Sequence, residues 1–484
     1  MSAPNRPSVL RFDPFTGPPQ IHGARRVGIR PGTELIHPLA ATGVRPLHFE
    51  VHGLPTGITV DDEGILRGTA PVSAGDHDLG VRVTNAEGVA EATVTLCVGD
   101  TLALTPPMGW NSWNVYAKEV TAEVILRTAK AMVANGMRDL GYQYVNIDDH
   151  WHADARGADG TPRTNPTTFP DGIAPLSEAL HEMGLKLGIY SDAAHLTCGK
   201  CFGGYGYERI DAQAYAEWGV DLLKYDYCYA PREQDAAIAR YGTMSRALAE
   251  SGRSIVFSVC EWGGRRPWKW AADLGAAYWR TTGDIFDSFS WAPFGVRSIA
   301  RRNMKLAPYA RPGAWNDPDM LLVGNRGTGL ATGRFKLPWL PELRFGGISE
   351  VEAHTHMTLW SMMAAPLLAS HDLTRSDDYD TALLTNPEVL AVDQDPLGQQ
   401  GRRVEWRPGI WQLVKPLAGG GVAISFSNVG GFTRGVSAKV SDYTDSTNLR
   451  VIDAWTGEDL GKVDRVDARL APHASAMFVA RPAQ

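Results

Sequence analysis

Eight apolar segments in the middle of the chain have the length and texture of strands. Each ends in a carboxylate, a tryptophan or another polar group. They span 107–113, 144–149, 185–192, 221–226, 255–261, 278–284, 313–319 and 366–372, and helix-like stretches such as 122–135, 173–183, 212–218 and 233–251 separate most of them. Parallel strands buried on both faces read as continuous apolar runs. Their alternation with helices predicts a closed (β/α)8 TIM barrel over 104–397. In such barrels the active site lies at the C-terminal ends of the strands. Those ends offer Asp148, Asp149, Asp192, Asp226, Glu261, Asp284, Asp319 and Asp372, with Trp110, Trp113, Trp262 and Trp315 close by. Carboxylates beside indole rings, with few histidines, point to a pocket that cleaves sugars.

The flanks have a different texture. Leu79, Val81 and Val83 alternate with polar residues, 85–88 reads as a turn, and Ala90, Ala92, Val94 and Leu96 alternate again. That is a hairpin with one buried face. It predicts a β-sandwich over 1–100, which resembles the immunoglobulin-like modules attached to many enzymes and reads as a packing or spacer unit. Cys97 within it reads as a buried thiol. Pro106 and Pro107 mark the junction with the barrel, because consecutive prolines enforce extended chain. Strand-like runs return at 404–406, 410–414, 422–427, 436–440, 450–454 and 476–479, predicting an antiparallel sandwich over 402–484.

Composition narrows the partners. A net charge of −7, with 21% charged and 44% hydrophobic residues, suits a globular protein and gives no reason to expect nucleic acid or anionic lipid. Oligomerisation stays open. No apolar stretch is long enough to span a bilayer; 359–370 is among the longest, and Pro366 interrupts it. The first residues lack the basic-then-apolar pattern of a secretory signal, so the chain stays inside the cell or its signal has been removed. Five cysteines are too few for a disulfide scaffold.

Three carboxylate groups carry the chemistry. Lys224, Asp226 and Cys228 should share one face of the fourth strand, and a nearby ammonium would lower the pKa of Asp226, as suits an anionic nucleophile. The bland alternative is a buried Lys–Asp pair that only supports the barrel. Asp284 is the candidate proton donor, partly desolvated by Trp279 and Phe286, with Arg280 holding a hydroxyl or neutralising the cluster. Asp287 competes with it, or caps the next helix. Asp148 and Asp149 cannot both face inward from a regular strand, so the chain must bend there. Together they suit two neighbouring sugar hydroxyls, whereas Asp149, His150 and His152 could instead hold a metal. Cys198 and Cys201 form a lone Cys-x-x-Cys, which is weak support for zinc or redox chemistry; Cys198 and Cys228 follow adjacent strands and could pair beside Asp226.

Eight phrases, read in order, make the chain similar to glycoside hydrolase family 27, the retaining α-galactosidases. They are Pro-Pro-Met-Gly-Trp-Asn-Ser-Trp (106–113), Ile-Asp-Asp (147–149), Lys-Leu-Gly-Ile-Tyr-Ser-Asp (186–192), Leu-Lys-Tyr-Asp-Tyr-Cys (223–228), Cys-Glu-Trp (260–262), Trp-Arg-Thr-Thr-Gly-Asp (279–284), Trp-Asn-Asp-Pro-Asp-Met (315–320) and Asp-Gln-Asp-Pro-Leu-Gly (393–398). The resemblance implies Asp226 as nucleophile and Asp284 as general acid/base. It implies sugar contacts from Trp113, Asp148, Asp149, Tyr190, Lys224, Cys260, Glu261, Trp262, Arg280 and Asp319, and a Cys198–Cys228 disulfide. Terminal α-linked galactose is then the substrate, and no metal or organic cofactor is required. β-L-Arabinopyranosidase, α-N-acetylgalactosaminidase and isomalto-dextranase activities are the alternatives within the family, and a non-hydrolytic sugar-binding barrel is the alternative outside it. Three departures stand out: His150 replaces a family cysteine, Cys201 is an extra thiol, and the segment 324–347, with Lys336, Trp339, Arg344 and Phe345, is long enough to line the rim.

Overall fold

The computed structural model describes residues 6–335, 343–405 and 407–482. Eight parallel strands curl into one sheet: β1 (Met108–Asn111), β2 (Tyr144–Asn146), β3 (Lys186–Asp192), β4 (Leu222–Asp226), β5 (Val256–Cys260), β6 (Tyr278–Arg280), β7 (Trp315–Asp317) and β8 (Leu367–Ala369). Each pairs with the next, and β8 returns to β1. Between β7 and β8 the ring closes through one bridge, Leu321 to Ala369, because the chain after β7 bends before it reaches its neighbour. All eight expected strands are present. Six of them end earlier than their apolar runs do, since the last residues peel away from the ladder, whereas β3 and β4 run to Asp192 and Asp226.

The expected helices are present as Ala122–Ala134, Ala174–Glu182, Glu208–Glu217 and Gln234–Glu250. Thr121 caps the first through a hydrogen bond from Val124 N–H. The helix Glu350–Met362 opens on a capping box between Ser349 and Glu352 and is buried from Ala353 to Met362. It lies between the barrel and the C-terminal sheets, where Ser475 Oγ meets His354 Nδ1 at 3.0 Å and Thr358 Oγ1 at 2.9 Å. Among the described residues no helix is long and apolar enough to cross a membrane.

In the C-terminal part, a six-stranded sheet faces a two-stranded one. Two of these strands, Asp459–Gly461 and Arg465–Leu470, were not expected from the sequence. Arg465–Leu470 buries only Val466 and Leu470, so its apolar signal is faint. Trp406, within one expected strand, lies outside the described residues.

The N-terminal sheets enclose Leu79, Val81, Val83, Val94 and Leu96, as their alternation predicts. Cys97 belongs to the opposite face. It is half-buried rather than a core thiol, and burial followed by a hydrogen bond to Asp76 pushes it up to about 11. This part docks on the N-terminal ends of the barrel strands, away from the pocket. Arg253, just before β5, bonds Glu34 Oε2 at 2.5 Å, Asp221 Oδ1 at 2.7 Å and Val220 O at 2.9 Å. Ser254 Oγ receives Arg30 N–H at 2.9 Å, and Arg67 donates to His181 O at 2.9 Å. Burial opposes ionisation of Asp221, yet His181 and Arg253 hold its carboxyl below the usual range. Removing Arg253 leaves that buried carboxylate short of a partner. Arg253→Met is therefore expected to destabilise the fold by about 3 kcal/mol, read by denaturant titration, with kcat/KM of the folded enzyme unchanged.

Candidate active site

Alternation along the strands builds the interior in layers. Tyr144, Leu222, Val256, Tyr278 and Trp315 face one another as an apolar floor. Two residues further along β4 and β6 come Lys224 and Arg280, and beyond Lys224 comes Asp226. Gly188 of β3 permits this closeness, because a Cβ there would collide with the Asn146 side chain. Trp279, with its side chain on the other face of β6, donates to Asn316 Oδ1 at 3.0 Å and sits in the outer core, so it does not desolvate Asp284 as expected.

Asp148 and Asp149 follow the end of β2, where the chain turns out of the strand into His150 at φ 75°. Asp148 Oδ2 accepts from Lys224 Nζ at 2.7 Å and from Asn111 Nδ2 at 3.0 Å, and its own N–H donates to Ser112 Oγ at 3.0 Å. The ammonium expected to favour the Asp226 anion therefore pairs with Asp148. Asp149 accepts backbone N–H groups from His150 at 2.8 Å and Gly199 at 2.7 Å. Burial nevertheless raises its pKa above the ordinary carboxylate value.

Asp226 closes β4. Tyr227 N–H donates to its Oδ1 at 2.9 Å and the Tyr190 hydroxyl to its Oδ2 at 3.1 Å, which fixes both oxygens. Cys198 and Cys228 form a disulfide, and the Cys198 sulfur lies 3.6 Å from Asp226 Oδ2. The expected lowering of the Asp226 pKa is reversed: burial outweighs the field of Lys224 and pushes it up to about 6. Asp192, its cross-strand partner, is fully buried, accepts Cys228 N–H at 2.9 Å and is pushed by burial and then by Asp226 up to about 9.

Arg280 is the second buried cation. Its Nη2 reaches Asp284 Oδ1 at 3.1 Å and Asp319 Oδ2 at 3.0 Å. Asp319, at φ 86°, also accepts the N–H groups of Ile285 at 2.7 Å and Met320 at 2.8 Å. Asp287 neither caps a helix nor reaches the site. It is buried and accepts backbone N–H groups from Gly327 and Ile348, tying down the segment that follows β7. Glu261 accepts from Arg265 N–H at 2.8 Å and from its guanidinium at 3.1 Å, and burial pushes it up to about 7.

A cavity of about 400 Å³ opens at this end of the barrel. The expected Trp113, Asp148, Asp149, Tyr190, Lys224, Asp226, Trp262 and Asp284 line it, together with Cys198, Cys228 and Tyr229. Cys260, Glu261, Arg280 and Asp319 do not; they stand behind the wall. Tyr229 was missed by the sequence reading. It is exposed, at φ 55°, and only its position just after Cys228 hints at the rim. Trp262 is 47% exposed at φ 59° and offers an indole face at the same mouth. Of the long segment after β7, Phe345 packs on Phe286 at 5.7 Å and Trp291 at 4.9 Å, beside the loop that carries Asp284. Lys336 and Trp339 lie outside the described residues. Of the potential metal ligands, Asp149, His152 and Cys201 come together, whereas the His150 ring stacks parallel to Trp113 at 6.2 Å.

The comparisons agree with this geometry. A family model described as alpha galactosidase A matches residues 105–339 and 343–395, and one for the alpha galactosidase C-terminal beta sandwich domain matches 409–480. Alpha-galactosidase 2 of Arabidopsis thaliana is 41% identical over 387 residues, covering 78% of this chain and 89% of that one. A solved structure from Bacteroides fragilis superposes with a TM-score of 0.90 at 39% identity, covering 98% of this chain and 100% of the other. Alpha-galactosidase I of Mortierella vinacea superposes with a TM-score of 0.72 at 32% identity, covering 80% of this chain and 99% of that one. With its sheet order, its convergent carboxylates and these matches, the chain belongs to the α-galactosidases of glycoside hydrolase family 27.

Proposed function

We propose that this glycoside hydrolase removes terminal α-linked D-galactose by double displacement, with Asp226 as nucleophile and Asp284 as general acid/base. The observation that carries this reading is that the two aspartates, from β4 and from the loop after β6, line one cavity. Asp226 attacks the anomeric carbon as the glycosidic C–O bond breaks, and Asp284 gives its proton to the departing oxygen. The product is a covalent β-glycosyl ester. Asp284 then takes a proton from water, which attacks the same carbon, frees Asp226 and restores the α configuration.

The other groups follow from their bonds. Tyr190 and the Tyr227 N–H hold the attacking carboxylate in one orientation. Asp148, Asp149 and Lys224 read the sugar hydroxyls at positions 4 and 6, which distinguish galactose. Trp113 forms a wall against the apolar face of the ring. Cys260, Glu261, Arg280 and Asp319 act from behind the wall, and Arg280 aims Asp284. A closed glycone end with an open, aromatic mouth suits exo cleavage, with Trp262 and Tyr229 facing the leaving group.

Asp226→Asn is expected to lower kcat/KM for a nitrophenyl α-galactoside by about 10³-fold or more; a variant at near wild-type rates removes Asp226 from the chemistry. Asp284→Ala should lose far more on an alkyl α-galactoside than on the nitrophenyl one, whose leaving group needs little protonation. Attack requires ionised Asp226, so kcat/KM should fall as pH drops through about 6. Lys224→Met removes a field that favours the anion and should shift this limb to higher pH, as a pH–rate profile in both enzymes will read. Across nitrophenyl α-galactoside, β-L-arabinopyranoside and α-N-acetylgalactosaminide, the galactoside should have the highest kcat/KM; preference for either of the others would reassign the sugar.

A further inference from the structure

Behind the Asp148–Asp149 wall, three side chains of different chemistry converge. One ligand atom each from Asp149, His152 and Cys201 lie within 4.8 Å of one another. His152 Nδ1 stands 3.7 Å from Asp149 Oδ1, and Cys201 Sγ stands 3.8 Å from His150 Nδ1. Ligands around a tetrahedral zinc ion, with bonds of about 2.0–2.3 Å, are separated by roughly 3.3–3.8 Å. The Asp149–His152 spacing already falls in that range.

His152 points to a ligand independently. Its ring is 4% exposed, stacked on Trp151 at 4.0 Å and met edge-on by Phe202 at 4.8 Å, yet neither ring nitrogen has a hydrogen-bond partner. A buried imidazole with both nitrogens unpaired is costly unless something else takes a lone pair. The set of one thiol, one imidazole and one carboxylate suits a borderline-soft divalent ion such as zinc rather than magnesium or calcium.

We propose that Asp149, His152 and Cys201 form an inhibitory site for a zinc-type divalent cation, with His150 or water as a further ligand. On binding, Cys201 releases its proton to solvent and coordinates as thiolate, His152 coordinates as neutral imidazole, and Asp149 remains a carboxylate. The ion's two positive charges are thereby cancelled without leaving net charge in the wall. Cys201 is half-buried and Asp149 lines the cavity, so the ion has a way in. The inhibitory consequence rests on the sugar-binding role proposed for Asp149: a carboxylate engaged by metal is withdrawn from the sugar, so zinc raises KM more than it lowers kcat. The disulfide-bonded Cys198 and Cys228, which lie near Asp192 and Asp226, offer no second site of this kind.

The test uses metal-stripped full-length enzyme, the Cys201→Ser variant and equilibrium dialysis against zinc followed by elemental analysis. The wild type should retain about one zinc per chain and the variant none, with unchanged metal-free activity in both. Cobalt in place of zinc should give a sulfur-to-cobalt charge-transfer absorption in the wild type alone. Zinc should act competitively with nitrophenyl α-galactoside, be reversed by a chelator, and lose its effect in Cys201→Ser. No retained zinc in the wild type, or equal zinc and the same cobalt spectrum in the variant, overturns the proposal. Zinc that binds through Cys201 without raising KM upholds the site and counts against the sugar role of Asp149 instead.

Discussion

Two buried cations, Lys224 and Arg280, make this barrel mouth feasible. Asp148, Asp149, Asp192, Asp226 and Asp319 are all nearly or fully buried at one end of the strands, and Asp284 is only half so. Carboxylates so confined repel one another and lose their water, and either effect alone would protonate most of them. Lys224 pairs with Asp148, and Arg280 bridges Asp284 and Asp319. Asp226 is left between them, with a tyrosine hydroxyl and a backbone N–H for direct partners. Asp226 is thus oriented by neutral donors and feels the cations only at a distance.

That arrangement depends on stiffness below it. The apolar floor formed by Tyr144, Leu222, Val256, Tyr278 and Trp315 places Lys224 and Arg280 at fixed height. The N-terminal sheets brace the same strands from the opposite end through Arg253, Arg67 and Arg30. The helix Glu350–Met362, buried against the C-terminal sheets, donates Trp360 Nε1 to Asp319 O at 2.7 Å. The C-terminal part is thereby coupled to the position of a residue beside Arg280. Among the described residues neither flank lines the cavity, yet both act on its geometry through the strands.

The rim is built differently. Backbone at positive φ carries His150, Tyr229, Trp262 and Asp319, all at or just past strand ends. Such conformations are costly for residues with a Cβ and persist only where surrounding bonds impose them. Here they place Tyr229 and Trp262 at the mouth, with His150 stacked on Trp113 and Asp319 behind the wall. The segment after β7 adds Phe345 to the aromatic cluster of Phe286 and Trp291, next to the loop that carries Asp284.

Much of this was legible in the amino-acid order. The eight strands could be read because both faces of each are buried, and the convergence of Asp148, Asp226 and Asp284 followed from strand ends alone. The polar strand Arg465–Leu470 escaped because two buried side chains make no pattern, and Tyr229 escaped because exposed aromatics carry no signal of what they face. The outward face of Cys97 was implied by its neighbours Leu96 and Val98, both buried. Only the tertiary structure decided that Lys224 pairs with Asp148, that Trp279 turns from the pocket, and that burial raises the Asp226 pKa. Local sequence determines which groups share a strand face. The protonation and partner of a buried charge depend instead on a sum over desolvation and distant fields, which exists only once the ring has closed.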